Sequence, residues 1–225
     1  MSTHCVPGAD ASDVVSTAQG QAGSRLRPIV LVRHGATTWS TTGRHTGRTD
    51  VPLDLDGRAQ AEAVGRRLAG RRFAAVLSSP LERARQTCDL AGFADVAEVH
   101  ADLVEWDYGE YEGLTTEEIR ERRPGWEVFF DGCPGGESPG HISARADRVL
   151  AKIASVLDTH SDPDPDGTSI GDPVVVFSHG HFLRVLAARW LELAPREGRR
   201  LRLDTGSVSE LAFERDVRAI ATWNG

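Results

Sequence analysis

Two short phrases carry the chemistry of this 225-residue chain. Leu31-Val32-Arg33-His34-Gly35 follows one apolar run, and Val176-Phe177-Ser178-His179-Gly180 follows another. Each reads as a buried strand that ends in a histidine and then a glycine, and the two histidines stand 145 positions apart. Ligands in open α/β sheets bind just beyond the carboxyl ends of the strands. Two histidines delivered to that edge, with Arg33 beside one of them, suit a small anion that is held and attacked.

Those histidines need elements to carry them. Residues 28–33 form a candidate central strand, short, apolar and bounded by Pro and Gly. Residues 55–71 are expected to be helical, with Ala61, Val64 and Leu68 on one face and arginines on the other. A strand is expected at 73–77, and Pro80 is read as opening the next helix, at the first-turn position proline tolerates. A third strand falls at 96–99. Thr115 and Glu118 fit a capping box for a helix over 115–122. Residues 141–159 place Ile142, Ala146, Val149, Ile153 and Val156 at helical spacing. Then come a strand at 173–177, a helix at 181–193 and two strands, 208–213 and 217–223, read as an antiparallel pair. Alternation of strands and helices predicts an α/β fold of three layers, a mostly parallel central sheet flanked by helices on both faces.

Composition bounds the function. The formal net charge of −7 argues against nucleic-acid binding, which needs a basic footprint. Any anion site must therefore be local. Cys5, Cys88 and Cys133 are odd in number and widely spaced, so neither a disulfide framework nor a zinc site is indicated. No apolar run reaches the length of a membrane span. The chain reads as cytoplasmic. Residues 1–27 lack apolar periodicity and are expected to be a disordered tail before one domain at 28–225. Residues 158–173, acidic and rich in Pro and Gly, are read as a loop.

The motifs resemble the histidine phosphatase superfamily, which includes phosphoglycerate mutases and many phosphomonoesterases. The resemblance runs through Arg33-His34-Gly35, Gly43-Arg44-His45-Thr46-Gly47, Ser79-Pro80-Leu81-Glu82-Arg83-Ala84, Glu105-Trp106-Asp107-Tyr108-Gly109, Gly136-Glu137-Ser138 and Ser178-His179-Gly180. It implies a phosphoglycerate mutase-like fold and a phosphohistidine intermediate on His34. It further implies phosphate contacts from Arg33, Arg83 and His179, and substrate contacts from Ser40, Thr46, Gly47, Trp106, Gly180 and His181.

Physical chemistry agrees with these roles. A phosphate monoester needs fixed donors for its oxygens, and an arginine can offer a planar fork to two of them. His179 can add a donor, as a cation once a bound anion favours its charged form. His34 would attack phosphorus as a neutral imidazole. The leaving alkoxide needs a proton, for which Glu105 is the candidate general acid. Neutralisation by arginines needs no metal, so no metal and no cofactor is expected. Asp107 is read as a brace for its loop, and a metal at His179 and His181 is disfavoured because no carboxylate or cysteine cluster joins them.

Three readings compete at this stage. A hydrolase acting on a small phosphorylated metabolite, most simply a sugar phosphate, leads. Glu105-Trp106-Asp107-Tyr108-Gly109 and Ser178-His179-Gly180-His181 are similar to the sugar-phosphatase and acid-phosphatase branch, which includes fungal sedoheptulose-1,7-bisphosphatase. A phosphoglycerate mutase is the first alternative; Trp106 stands where mutases carry an arginine, and the segment 113–135 is short. A non-catalytic phosphate binder is the second, and the presence of both His34 and Glu105 speaks against it. The resemblance leaves the oligomeric state open, a homodimer among the options.

Overall fold

The computed structural model describes residues 27–159 and 171–225. Apart from Arg27, the expected tail lies outside the described residues, as does most of the acidic loop at 158–173. In chain order the elements are β1 (Ile29–Arg33), α1 (Thr38–Thr41), α2 (Leu55–Leu68), β2 (Ala75–Ser78), α3 (Glu82–Cys88) and β3 (Ala97–Val99). They continue with α4 (Thr116–Arg122), α5 (Val128–Asp131), α6 (Pro139–Thr159), β4 (Val174–Ser178), α7 (Gly180–Trp190), β5 (Val208–Glu214) and β6 (Val217–Thr222).

Among the described residues six strands form one sheet in the order β3-β2-β4-β1-β5-β6. β1, β2, β3 and β4 pair in parallel, whereas β5 runs antiparallel to β1 and β6 antiparallel to β5. The mostly parallel sheet and its closing antiparallel pair are as the sequence predicts. Side chains of a strand alternate between the two faces of the sheet. Ile29, Leu31, Val174 and Val176 accordingly enter one core with α6 and α7, while Val30, Val32, Val175 and Phe177 enter a second core with α2. That division makes the three layers.

Helix limits differ from the periodicity in places, each for a local reason. α2 starts where Asp54 accepts from Gly57 N at 2.7 Å, and it stops at Leu68, short of the arginines at 71 and 72. Pro80 lies outside α3: the extended Leu81 is the N-cap, so the helix opens at Glu82. The Thr115–Glu118 capping box forms as expected and starts α4. α7 begins one residue earlier than the pattern implied and ends at Trp190. Trp126, Val128 and Phe129 are core residues; Phe130, half exposed, lies beneath the Arg199 guanidinium.

Gly35 does more than end a strand motif. A Cβ there would fall 2.2 Å from Gly57 O, and one on Gly57 would fall 2.0 Å from Ala36 O. The turn after β1 and the first turn of α2 touch backbone to backbone, which only a glycine pair permits. Any side chain at Gly35 would push α2 off the sheet at the point where His34 leaves it.

Candidate active site

β1 and β4 are neighbours in register, Arg33 opposite Ser178, and His34 N donates to Ser178 O at 3.0 Å. The sheet therefore brings His34 and His179 together, with ring centroids 5.2 Å apart. His34 is buried, and its Nδ1 lies 2.7 Å from Gly35 O. A carbonyl can only accept, so Nδ1 carries the proton and Nε2 keeps its lone pair. Burial first, then the Arg83 and Arg33 charges, push the His34 pKa well below its ordinary value. Its imidazole is neutral, with Nε2 the nucleophilic atom.

Arg33 donates from Nη1 to Leu203 O, while its Nε is buried and has no partner among the described residues. Gly180 lets the guanidinium lie close, since a Cβ there would be 3.2 Å from Arg33 Nε and Cζ. An unpaired buried donor costs free energy until something accepts from it. A phosphate oxygen is such an acceptor.

Arg83 is fully buried and differs from the expected free fork. Its Nε donates to His179 Nδ1 at 3.1 Å, Nη1 to Thr49 O, and Nη2 to Thr46 O and Gly47 O. Four of its five N–H groups are already used, which leaves one, on Nη1, for an anion. With no anion bound, His179 is a neutral ring. Nδ1 accepts from Arg83, so the ring proton sits on Nε2 and faces Ser79 Oγ at 2.7 Å. Burial and the facing Arg83 charge hold its pKa well below the ordinary value. The one donor His179 can bring to phosphate is this neutral Nε2–H, which must first exchange Ser79 Oγ for a phosphate oxygen.

Replacing Arg83 by alanine leaves three carbonyls and a histidine nitrogen without their donor. At about 1–3 kcal/mol for each buried unsatisfied group, we expect the chain to lose several kcal/mol of stability as well as activity. Urea unfolding measures it; a change under about 1 kcal/mol would contradict this role for the guanidinium.

Glu105 joins the site through α7. Its Oε1 accepts from Trp106 N and Phe182 N, both at 2.8 Å, and Oε2 accepts from His181 N at 3.0 Å. His179 occupies the N-cap position of α7 but makes no side-chain cap. A carboxylate from another element therefore satisfies the helix's first amides and faces the positive end of its dipole. Oε1 uses both lone pairs, so a transferable proton can sit only on Oε2.

The residues expected to touch substrate are placed unevenly. His181 holds its Nδ1 2.6 Å from the Tyr108 hydroxyl, and Gly180 passes under Arg33. Ser40 instead closes a capping box with Thr37 at the start of α1, its Oγ accepting from Thr37 N and donating to Thr37 O. Gly47 N is taken by the Glu112 carboxylate, and Thr46 contributes its carbonyl to Arg83. Trp106 is fully buried with its indole N–H on Glu137 O. Its ring packs edge-on against both Phe129 and His181, inside the core. Asp107 is a brace, taking Gly109 N and Arg48.

Sequence reasoning missed Ser79, Glu112, Tyr108 and His45, whose partners are set by tertiary contacts, and Arg145. Ser79, Tyr108 and His45 lie within the motifs quoted above without a role being read for them, and Arg145 left a signal of another kind: it lies on the apolar stripe of α6, between Ile142 and Val149. Among the described residues, no group of three or more His, Cys, Asp or Glu could hold a metal, and no helix is long and apolar enough to cross a membrane. Cys88 and Cys133 are buried thiols pushed up to about 12 by burial.

His45 sits among Tyr108, Trp126 and His181, and burial lowers its pKa to about 4. Unfolded, it titrates near 6.5. Between those values the unfolded chain binds more protons, so stability is full above about 6.5 and is lost as pH falls toward 4, by about 1.4 kcal/mol per pH unit for one group. His34, His179 and His181 are shifted the same way and steepen the loss. Denaturation midpoints should drop from pH 6.5 to 5, and His45→Gln should flatten the curve by about one proton. A midpoint indifferent to pH in that window would refute neutral burial.

A mostly parallel sheet whose strand ends deliver two neutral histidines and the half-buried Arg33, with the buried Arg83 added from α3, defines a phosphoryl-handling α/β enzyme. The model of the histidine phosphatase superfamily, branch 1, matches residues 29–225. This chain belongs to that superfamily. It is similar to an acid phosphatase of Mycobacterium tuberculosis, 43% identical over 88% of this chain and 93% of that one. It also resembles sedoheptulose 1,7-bisphosphatase of Saccharomyces cerevisiae, 37% identical over 73% of this chain and 67% of that one. A probable phosphoglycerate mutase of Salmonella choleraesuis is 33% identical over 87% and 89%. The solved structure of an open reading frame product from Mycobacterium tuberculosis superposes with a TM-score of 0.80 at 41% identity, covering 89% of this chain and 98% of that one.

Proposed function

We propose that this chain is a metal-independent phosphomonoesterase for a small phosphorylated metabolite, most simply a sugar phosphate, acting through a phosphohistidine on His34. The observation that carries this is the fixed tautomer of His34, whose Nδ1–H is tied to Gly35 O, which leaves Nε2 with its lone pair. Arg33, the remaining N–H of Arg83 and the Nε2–H of His179 take the phosphate oxygens. Nε2 attacks phosphorus, the P–O ester bond breaks, and the leaving alkoxide takes the proton from Glu105 Oε2. The Glu105 carboxylate then removes a proton from water, which attacks phosphorus. The P–N bond breaks and inorganic phosphate leaves. His181 and Gly180 stand beside the leaving group.

The names of the acid phosphatase and bisphosphatase relatives support hydrolysis over isomerisation. The mutase-named relative favours the competing reading at lower identity. In this reading residues 28–225 act as one catalytic domain in the cytoplasm, where unpaired cysteines are the norm. Phosphate release in EDTA from sugar monophosphates and bisphosphates, the phosphoglycerates and p-nitrophenyl phosphate tests it. We expect release from at least one sugar phosphate, unchanged by chelator. Conversion of 3-phosphoglycerate to its isomer without release would overturn it in favour of a mutase.

A further inference from the structure

Arg145 of α6 is buried, and every one of its five N–H groups is used. Nε and Nη2 grip the two oxygens of Glu137 at 3.0 and 2.7 Å. Nη1 donates to Asp102 O and Val104 O, and Nη2 also donates to Glu105 O at 3.1 Å. Glu137 in turn accepts from Asp107 N at 3.0 Å through Oε2, takes the Trp106 indole on its carbonyl, and donates its own N–H to Asp107 O. Arg145 and Glu137 thus fasten residues 105–107, Glu105 and Asp107 by their backbone and Trp106 by its indole. The Arg145 guanidinium also lies 4.6 Å from the centre of the Phe182 ring, and Phe182 N is one of the amides that hold Glu105 Oε1.

We infer that the Arg145–Glu137 pair is a positioning device for the general acid: it fixes both the main chain of Glu105 and the α7 amide cradle that aims its carboxyl. The inference rests on the reading of Glu105 as the acid. A planar guanidinium with five fixed donors is required, because an ammonium has three donors and no fork. A purely structural role would lower stability and slow every substrate alike. A role through Glu105 slows only the step that needs its proton, because a displaced acid costs most where the leaving group is a poor one.

The test compares an alkyl phosphate with p-nitrophenyl phosphate in Arg145→Lys and Glu137→Gln. Glu137→Gln keeps the shape but points an amide donor at Arg145 or at Asp107 N, so it loosens the same segment if Arg145→Lys fails to fold. Expected is a fall of about 10-fold or more in kcat on the alkyl ester, with the aryl ester within about threefold. On a Glu105→Gln background, Arg145→Lys should leave the alkyl-to-aryl ratio within about twofold, since the two changes act through one group. Equal losses on both esters, or an undiminished further fall in the ratio on that background, would overturn the positioning role. If Glu105→Gln alone leaves the ratio unchanged, it is the acid assignment that fails.

Discussion

His34→Ala should give a folded protein that releases no phosphate from any ester. The substitution removes the attacking nitrogen, and nothing nearby can replace it. His179, the nearest ring, has Nδ1 occupied by Arg83 and its proton on Nε2. Loss of a covalent nucleophile costs roughly 10⁴-fold or more in kcat, because the residual rate comes only from binding and charge stabilisation. The fold should survive. β1 keeps its four buried apolar residues and both neighbouring strands, and the lost Nδ1 bond to Gly35 O is worth about 1 kcal/mol. Labelled substrate quenched in alkali, where phosphohistidine persists, should leave label on the wild-type chain and none on the variant. Turnover within tenfold of wild type would sink the phosphohistidine route.

Glu105→Gln should separate substrates by leaving group. An alkoxide must be protonated as it departs, whereas p-nitrophenolate leaves without help. We expect kcat on sugar phosphates to fall by about 10²–10⁴-fold and on p-nitrophenyl phosphate by less than about tenfold. The structure adds a stability cost. A glutamine can turn its oxygen toward Trp106 N and Phe182 N, but its amide then faces His181 N donor to donor. One unsatisfied amide costs about 1–3 kcal/mol, so thermal unfolding must be followed alongside turnover. Equal losses on both ester types, in a variant that melts normally, would remove Glu105 from the acid role.

Much of this architecture was legible because burial writes itself into residue order. The runs at 29–33 and 174–178 are apolar at every core position because both faces of a parallel sheet are covered, and α6 shows its stripe because one face is. Boundaries were less legible: Pro80 favours a first turn in general, yet here the cap is Leu81. Arg33, His34, Arg83, Glu105 and His179 do gather at one sheet edge. How each spends its hydrogen bonds was not legible. Spacing says nothing of the three loop carbonyls that claim Arg83, or of the capping box that claims Ser40. Trp106 lies in a loop without periodicity, so inward or outward could not be read.

β1 lies between β4 and β5, and neither begins before Val174. During synthesis the first strand therefore has no partner on either side until more than two thirds of the chain has emerged. Its run Ile29-Val30-Leu31-Val32 must wait, apolar and unpaired, for segments made last. Every early strand in this order is a sticky edge while it waits. His34 meets His179 only once β1 and β4 pair, so recovery of activity in a refolding experiment reports that long-range pairing rather than collapse.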